Sequence, residues 1–482
     1  MKKVVRLAVV NCVLASTAFA GPLVIYGEDN RQEVFEASAA HQALAKSTAS
    51  MVSKNEITPD IMSIGVVKLT QKTLSDWLKG PAEEETKSAA LAEASAAGIS
   101  FCPGTRFVEQ PNPAMCSGFL IAPDLIVTAG HCAELENMCD EYRWVFDFHV
   151  NKETNQAGLD IKEENVFKCK KVVSNLLNNK YGYDYAVIQL DRQVPGRTPL
   201  EINDGKSIGE QQSLLVIGNP SGLPTKVAPG AKVRNNFHPN YFSANLDTFQ
   251  GNSGSAVFNA DTGVVEGILV RGEEDYVPNY QLMCIEANVC ETDACRGEDV
   301  SRMTSIPEVA VNKYLMMAST TGDMEILNKV LELNTWVDFN TRDGQSALIK
   351  ASAAAQNEAM KALLAKGADV NKQDALGNTS LHALAQVLTQ TNADALATLV
   401  QAGANLEARN GLGETALLAA GKSLNLEAVK LIIAAGADKN AVNANGENVL
   451  LSFAGKGDEK AVLELMSMGV ENKSVMTKIV SK

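Results

Sequence analysis

From Phe101 to about Cys295 the apolar positions fall in short runs separated by turn residues. Phe119-Leu-Ile121, Leu125-Ile-Val127, Trp144-Val-Phe146, Ala186-Val-Ile188, Leu214-Leu-Val-Ile217 and Ala256-Val-Phe258 are rich in β-branched or aromatic side chains. Such side chains suit a pleated surface, and short runs broken by turn residues read as strands. Many of them at this spacing predict a pair of antiparallel barrels. Upstream, residues 82–98 are rich in Ala, Glu and Lys, types that favour helix, and predict a helical insertion with a solvated charged face. Past Val309 the texture changes: cysteine disappears and Ala and Leu dominate. Gly344, Gly377, Gly413 and Gly446 recur at intervals of 33, 36 and 33, and Gly367, Gly403, Gly436 and Gly469 at 36, 33 and 33. A fixed period of this length predicts stacked helical units, each burying its apolar face against its neighbours. The expected architecture is therefore multidomain, an all-β double barrel followed by an all-α solenoid.

A chain of 482 residues is too long for one ordinary domain. The net charge of −14 argues against nucleic acid, whose phosphates call for a basic face, and against an anionic membrane surface. The first 20 residues predict a secretory signal: Lys2, Lys3 and Arg6 precede a short apolar core, and Ala18-Phe19-Ala20 ends in the small-x-small pattern of a cleavage site. That core is too short to span a bilayer, and no later run predicts a transmembrane helix. Secretion or a periplasmic location follows. Without Cys12 the cysteines are 102, 116, 132, 139, 169, 284, 290 and 295, an even number that predicts disulfides in an oxidising compartment. Cys284, Cys290 and Cys295 also suggest zinc ligands, but no histidine stands nearby, so disulfides are favoured and no metal is expected. The expected boundaries are a signal peptide at 1–20, an N-terminal segment at 21–100 with a first barrel strand and a short prosegment, a β core at 101–308 and repeats at 309–482.

Three motifs carry chemistry. Gly251-Asn-Ser-Gly-Ser255 brackets a serine with small residues, which suits a nucleophile in a tight turn, and the N–H groups of Gly251 and Ser253 can converge where an oxyanion would develop. Upstream stand Thr128-Ala-Gly-His-Cys132 and Asp184-Tyr-Ala-Val-Ile-Gln-Leu190. The order is His, Asp, Ser, with 53 residues from His131 to Asp184 and 69 from Asp184 to Ser253. With Cys116-Ser-Gly-Phe-Leu-Ile-Ala-Pro-Asp-Leu-Ile-Val-Thr-Ala-Gly-His-Cys132, these segments resemble the trypsin/chymotrypsin family over roughly residues 100 to 280. The Gly-Asn-Ser-Gly-Ser form is nearer its bacterial branch, which includes the glutamyl endopeptidases. Gly377-Asn-Thr-Ser-Leu-His-Ala-Leu384 and Gly413-Glu-Thr-Ala-Leu-Leu-Ala419 resemble the ankyrin signature. The resemblance implies about five ankyrin repeats, with Tyr314–Val337 and Asn448–Val470 as divergent caps and His382 in a structural role.

The resemblance implies a serine endopeptidase that needs no cofactor. Ser253 is the nucleophile, His131 the general base and Asp184 the group that orients it. Asp191 is the near rival of Asp184, but Asp184 opens an apolar strand, as the family pattern does. A Cys116–Cys132 disulfide is implied around the histidine. Asp247, six residues before the nucleophile, stands at the floor of the primary pocket, Gly272 in its wall, and Glu273, Glu274 and Asp275 near its rim, which implies cleavage after basic residues. Leu269 stands where glutamyl endopeptidases carry a glutamate-reading histidine. Asn252 replaces the aspartate that pairs with a released α-amino group in trypsin, and Ser255 replaces a glycine. Peptide or protein substrates are expected, with a protein partner on the repeats. The rival reading is an inactive protease fold that serves as an ankyrin-mediated interaction module.

Overall fold

The computed structural model describes residues 25–80, 88–203, 207–272, 274–291, 295–333, 337–339, 341 and 343–471. The expected signal peptide, the first residues of the 82–98 insertion and Glu273 lie outside them. Two six-stranded β-barrels are followed by paired helices. The first barrel comprises β1 (Thr48–Ser53), β2 (Ala114–Ala122), β3 (Leu125–Thr128), β4 (Tyr142–Val145), β5 (Val166–Asn178) and β6 (Tyr183–Leu190). The second comprises β7 (Ser213–Gly218), β8 (Lys226–Asn235), β9 (Tyr241–Ala244), β10 (Ala256–Asn259), β11 (Val265–Arg271) and β12 (Glu298–Arg302). Around the first the order is β1-β2-β3-β6-β5-β4, and around the second β7-β8-β9-β12-β11-β10. One topology is thus used twice, and closure removes the sheet edges.

The unbroken apolar runs have a physical reason. Successive side chains of a strand point to opposite faces, and here both faces are buried. Leu214 and Val216 of β7 enter the second barrel with Val257 and Leu269. Leu215 and Ile217 pack outward, with Phe258 and Ile268, into one core shared with Phe119, Ile126, Trp144 and Phe167 of the first barrel.

The residues before β1 belong to the folded body. Ile25–Tyr26 pairs in parallel with Val289–Cys290, and Gln32–Glu33 adds to β8. Their side chains are held as tightly. Lys226, almost wholly buried, donates to Glu33 Oε2 at 2.9 Å and to Gln110 Oε1 at 2.8 Å, and burial pushes its ammonium down to about 8. Described disulfides join Cys102 to Cys284, Cys116 to Cys132, Cys139 to Cys169 and Cys290 to Cys295. The Cys284, Cys290 and Cys295 cluster is therefore divided between two bridges. Within 82–98, helix α2 (Ala89–Ala96) starts at the N-cap Ser88 and follows helix α1 (Leu74–Lys79).

The helical region holds five antiparallel pairs among the described residues, from Pro307–Thr321 with Met324–Glu332 to Val449–Ala454 with Glu459–Ser467. Both glycine series take positive φ, from 71° at Gly413 to 105° at Gly436, a conformation glycine enters at no steric cost. His382 is buried: the Thr379 N–H donates to its Nδ1 at 3.2 Å, and Nε2 donates to the Glu414 carbonyl at 2.9 Å, tying one repeat to the next. The array is docked on the first barrel. Phe339 joins the barrel core, Lys372 Nζ lies 3.2 Å from Asp124 Oδ2, and Gln193 Nε2 donates to the Gln373 carbonyl at 2.9 Å. Asp124 precedes β3 and His131 follows it, so the contact lies at the far end of the strand from the histidine.

Candidate active site

Three segments converge between the barrels. The end of β3 delivers His131, the start of β6 delivers Asp184, and the turn between Asp247 and β10 delivers Ser253. Thr128 fixes the first of these by donating its hydroxyl to the Ser117 carbonyl at 2.7 Å, and the Cys116–Cys132 bridge fastens the same loop to β2. The Asp184 carboxylate is 1% exposed. Its Oδ1 accepts the main-chain N–H of His131 at 3.1 Å, and its two oxygens lie 3.2 and 3.0 Å from His131 Nδ1. A carboxylate only accepts, so Nδ1 carries the proton that faces Asp184. Asp191, by contrast, accepts the Lys168 N–H and pairs with Arg192 at the surface.

The serine turn abuts this pair. The Ser253 carbonyl accepts the Ser117 N–H at 2.8 Å and lies 3.8 Å from Cys132 Sγ, beside His131. The Gly254 N–H donates to the Leu269 carbonyl at 2.8 Å. A Cβ at Gly254, whose φ is +90°, would stand 2.0 Å from the Ser117 carbonyl oxygen, so the closeness of the turn to β2 demands glycine there. Gly251 has a φ of +91°. Among the described residues, neither the N–H of Gly251 nor that of Ser253 has a hydrogen-bond partner, nor does the Ser253 hydroxyl. Two adjacent donors left open beside a serine and a histidine are what an oxyanion-binding turn requires. Catalytic hydrogen bonds are commonly long in a site without substrate.

The two departures from trypsin are linked. Asn252 is buried, and its Oδ1 accepts the Ser255 hydroxyl at 3.1 Å. The carboxamide oxygen is thus engaged within its own turn, and the group carries no charge to pair with a terminal ammonium. The N-terminal segment is held at Asp247 instead. Oδ1 accepts the Tyr26 N–H at 2.7 Å and Oδ2 the Asn30 N–H at 3.0 Å. Asp247, expected at the pocket floor, is 4% exposed, and each of its oxygens accepts one of these main-chain N–H groups. Burial raises its carboxyl to about 6, against the lowering from the two amides.

Asp275 also departs from expectation. It is buried rather than at a rim, and accepts the Gln250 N–H at 2.9 Å. Glu298 on β12 is fully buried, with Oε2 accepting the Thr248 hydroxyl at 3.2 Å and Oε1 without a partner among the described residues. Burial pushes both carboxyls well above the usual range. Gly272 follows β11 and is partly exposed. The cysteine sulfurs beside His131 are joined to each other, which removes them as metal ligands.

Residues not foreseen at the site belong to an open cleft of about 350 Å³ beside Gly251, walled by α1 on one side and by Gln250, Asp275 and Tyr276 on the other. The exposed Met115 on an otherwise buried β2 is the signal that marks it.

Residues 116–268 match the family model of the trypsin-like peptidase domain. Residues 315–410 match that of ankyrin repeats in three copies. No curated protein matches the chain.

Proposed function

We propose that this chain, a trypsin-like peptidase domain joined to ankyrin repeats, is an exported serine endopeptidase whose repeats bind a protein partner. The observation that carries the reading is the Asp184–His131 pair, at 3.0 Å, set beside a serine turn with two open N–H donors. Ser253 Oγ attacks the peptide carbonyl carbon and its proton passes to His131 Nε2. The oxyanion takes hydrogen bonds from the N–H groups of Gly251 and Ser253. Collapse breaks the C–N bond as His131 protonates the leaving amine, and water then releases the acyl group by the reverse roles. Asp184 holds the Nδ1–H tautomer and stabilises the imidazolium.

Labelling of the full chain with a fluorophosphonate probe, beside Ser253→Ala and His131→Ala, tests this. Labelling abolished by the first substitution and slowed by the second supports an activated nucleophile. An unlabelled wild-type protein overturns it and leaves an interaction module on a spent protease fold.

A further inference from the structure

The cleft beside Gly251 is a built subsite. One wall is α1, an element of the N-terminal segment, and the other is second-barrel loop. Its apolar lining is Leu74 and Trp77 of α1, Met115 of β2 and Tyr276. Met115 is 41% exposed, on a strand whose other residues are buried. Met115 thus leaves apolar surface open at the cleft beside Gly251.

The walls are rigid. The N–H groups of Leu74 and Ser75 donate to the carbonyls of Gln110 and Val108 at 3.1 and 2.8 Å. Leu74 and Leu78 pack with Phe249, Tyr276 and Ile285 in one cluster. The Cys102–Cys284 bridge ties the segment that follows α2 to the strand paired with Tyr276–Asn279. At the floor, Ser221 takes a φ of +52° that non-glycine residues seldom adopt, and its hydroxyl meets the Tyr276 hydroxyl at 2.8 Å. Strain of this kind concentrates where a surface is shaped for a ligand. Burial pushes the Asp275 carboxyl well above the usual range, and the charged side chains in the lining are Glu56 and Lys72.

The side of the scissile bond follows from which residues are present. The cleft contains Gly251 and Met115, the neighbour of the bridge that carries His131, and does not contain Gly272, the expected wall of the acyl-side pocket. It therefore lies on the flank where His131 meets the leaving amine. Resting on the endopeptidase reading, we infer that this cleft binds a bulky apolar side chain of the substrate on the leaving-amine side of the cleaved bond, and that Trp77 sets the preference. At about 350 Å³ it suits one large side chain.

The test uses the full chain and quenched fluorogenic peptides with a constant acyl half and Gly, Leu, Phe, Lys or Glu at the first two positions of the amine half. Active sites are counted in each protein by fluorophosphonate titration. Wild type is expected to favour Phe or Leu over Gly by about tenfold or more in kcat/KM, the scale of a filled apolar pocket. That ratio should collapse toward one in Trp77→Ala, fall in Met115→Ala and recover in Trp77→Phe. A wild-type preference for Lys or Glu at these positions, or a ratio unchanged in both alanine variants, overturns the inference while titration by the probe upholds the endopeptidase. Failure of the wild type to titrate overturns both.

Discussion

The main-chain N–H of Tyr26 donates to Asp247 Oδ1 at 2.7 Å across 221 residues of sequence. The pairing anchors the N-terminal segment six residues before the proposed nucleophile, and it makes Asp247 a structural acid. Its folded-state value, raised to about 6 from 3.8, fixes the sign of its pH dependence. The native state binds the extra proton, so this group's stabilisation is complete below about pH 4 and is lost as pH rises through 6. Relative to Asp247→Asn, wild type should lose up to about 3 kcal/mol between pH 4 and pH 7. The carboxamide should also be less stable at every pH, because its single oxygen serves one of the two amides. Denaturant unfolding of both proteins at the two pH values measures the difference, and parallel curves would exclude the assignment.

The docking of the repeats rests on a nearly buried ion pair, Asp124–Lys372, with side chains 11% and 9% exposed. Asp124 also accepts from Gln189 Nε2 at 2.9 Å. Removing one partner strands a charge, while removing both does not. Lys372→Met should therefore cost about 3 kcal/mol, and Lys372→Met combined with Asp124→Asn less than the single change. Thermal unfolding of the four proteins in the cycle would reveal an additive pair if the bridge were merely a surface contact.

Gly251→Ala should disarm the site without unfolding the domain. A Cβ there would stand 2.6 Å from the Gly222 N and 2.7 Å from the Asn219 carbonyl oxygen, so the turn must shift and carry its N–H away. The loss of one oxyanion donor is worth about a hundredfold or more in rate. Probe-labelling kinetics should show that drop while circular dichroism keeps the wild-type spectrum.

His382 bridges two repeats through Thr379 and the Glu414 carbonyl, and burial lowers its pKa, which keeps it neutral. His382→Ala leaves those groups unpaired and opens a void, at a cost of about 2 kcal/mol or more. The cost should appear in urea unfolding followed in the helical signal. Labelling of Ser253, on the far side of the barrel from the docked repeats, should persist.

His131, Asp184 and Ser253 were legible because each sits in a short motif whose neighbours are dictated locally: Thr128 bonds to Ser117, and Gly254 fits against the same carbonyl. The repeats were legible because four of the five units carry a positive-φ glycine at the same two places. The partners of Asp247, Tyr26 and Asn30, were not legible because they lie more than two hundred residues away, and nothing near it in the chain announces a buried amide acceptor. Asp275 reads as one more member of an acidic run until the fold turns it inward to the Gln250 N–H. The cleft at Trp77 was hidden for a related reason: Leu74 and Leu78 of its helix meet Phe249, Tyr276 and Ile285 only in the folded cluster, from far along the chain.

That bridge and the strand before it have a consequence in time. Ile25–Tyr26 finds its partner only at Val289–Cys290, and Cys102 waits for a cysteine 182 residues later. A chain that emerges N-terminus first at about ten residues per second is therefore roughly 20 s past Cys102 before the wall of the cleft can close. Until then the turn that bears Ser253 lacks the scaffold beneath it. The order of the sequence itself postpones completion of the N-terminal pairing until the chain has passed Cys290.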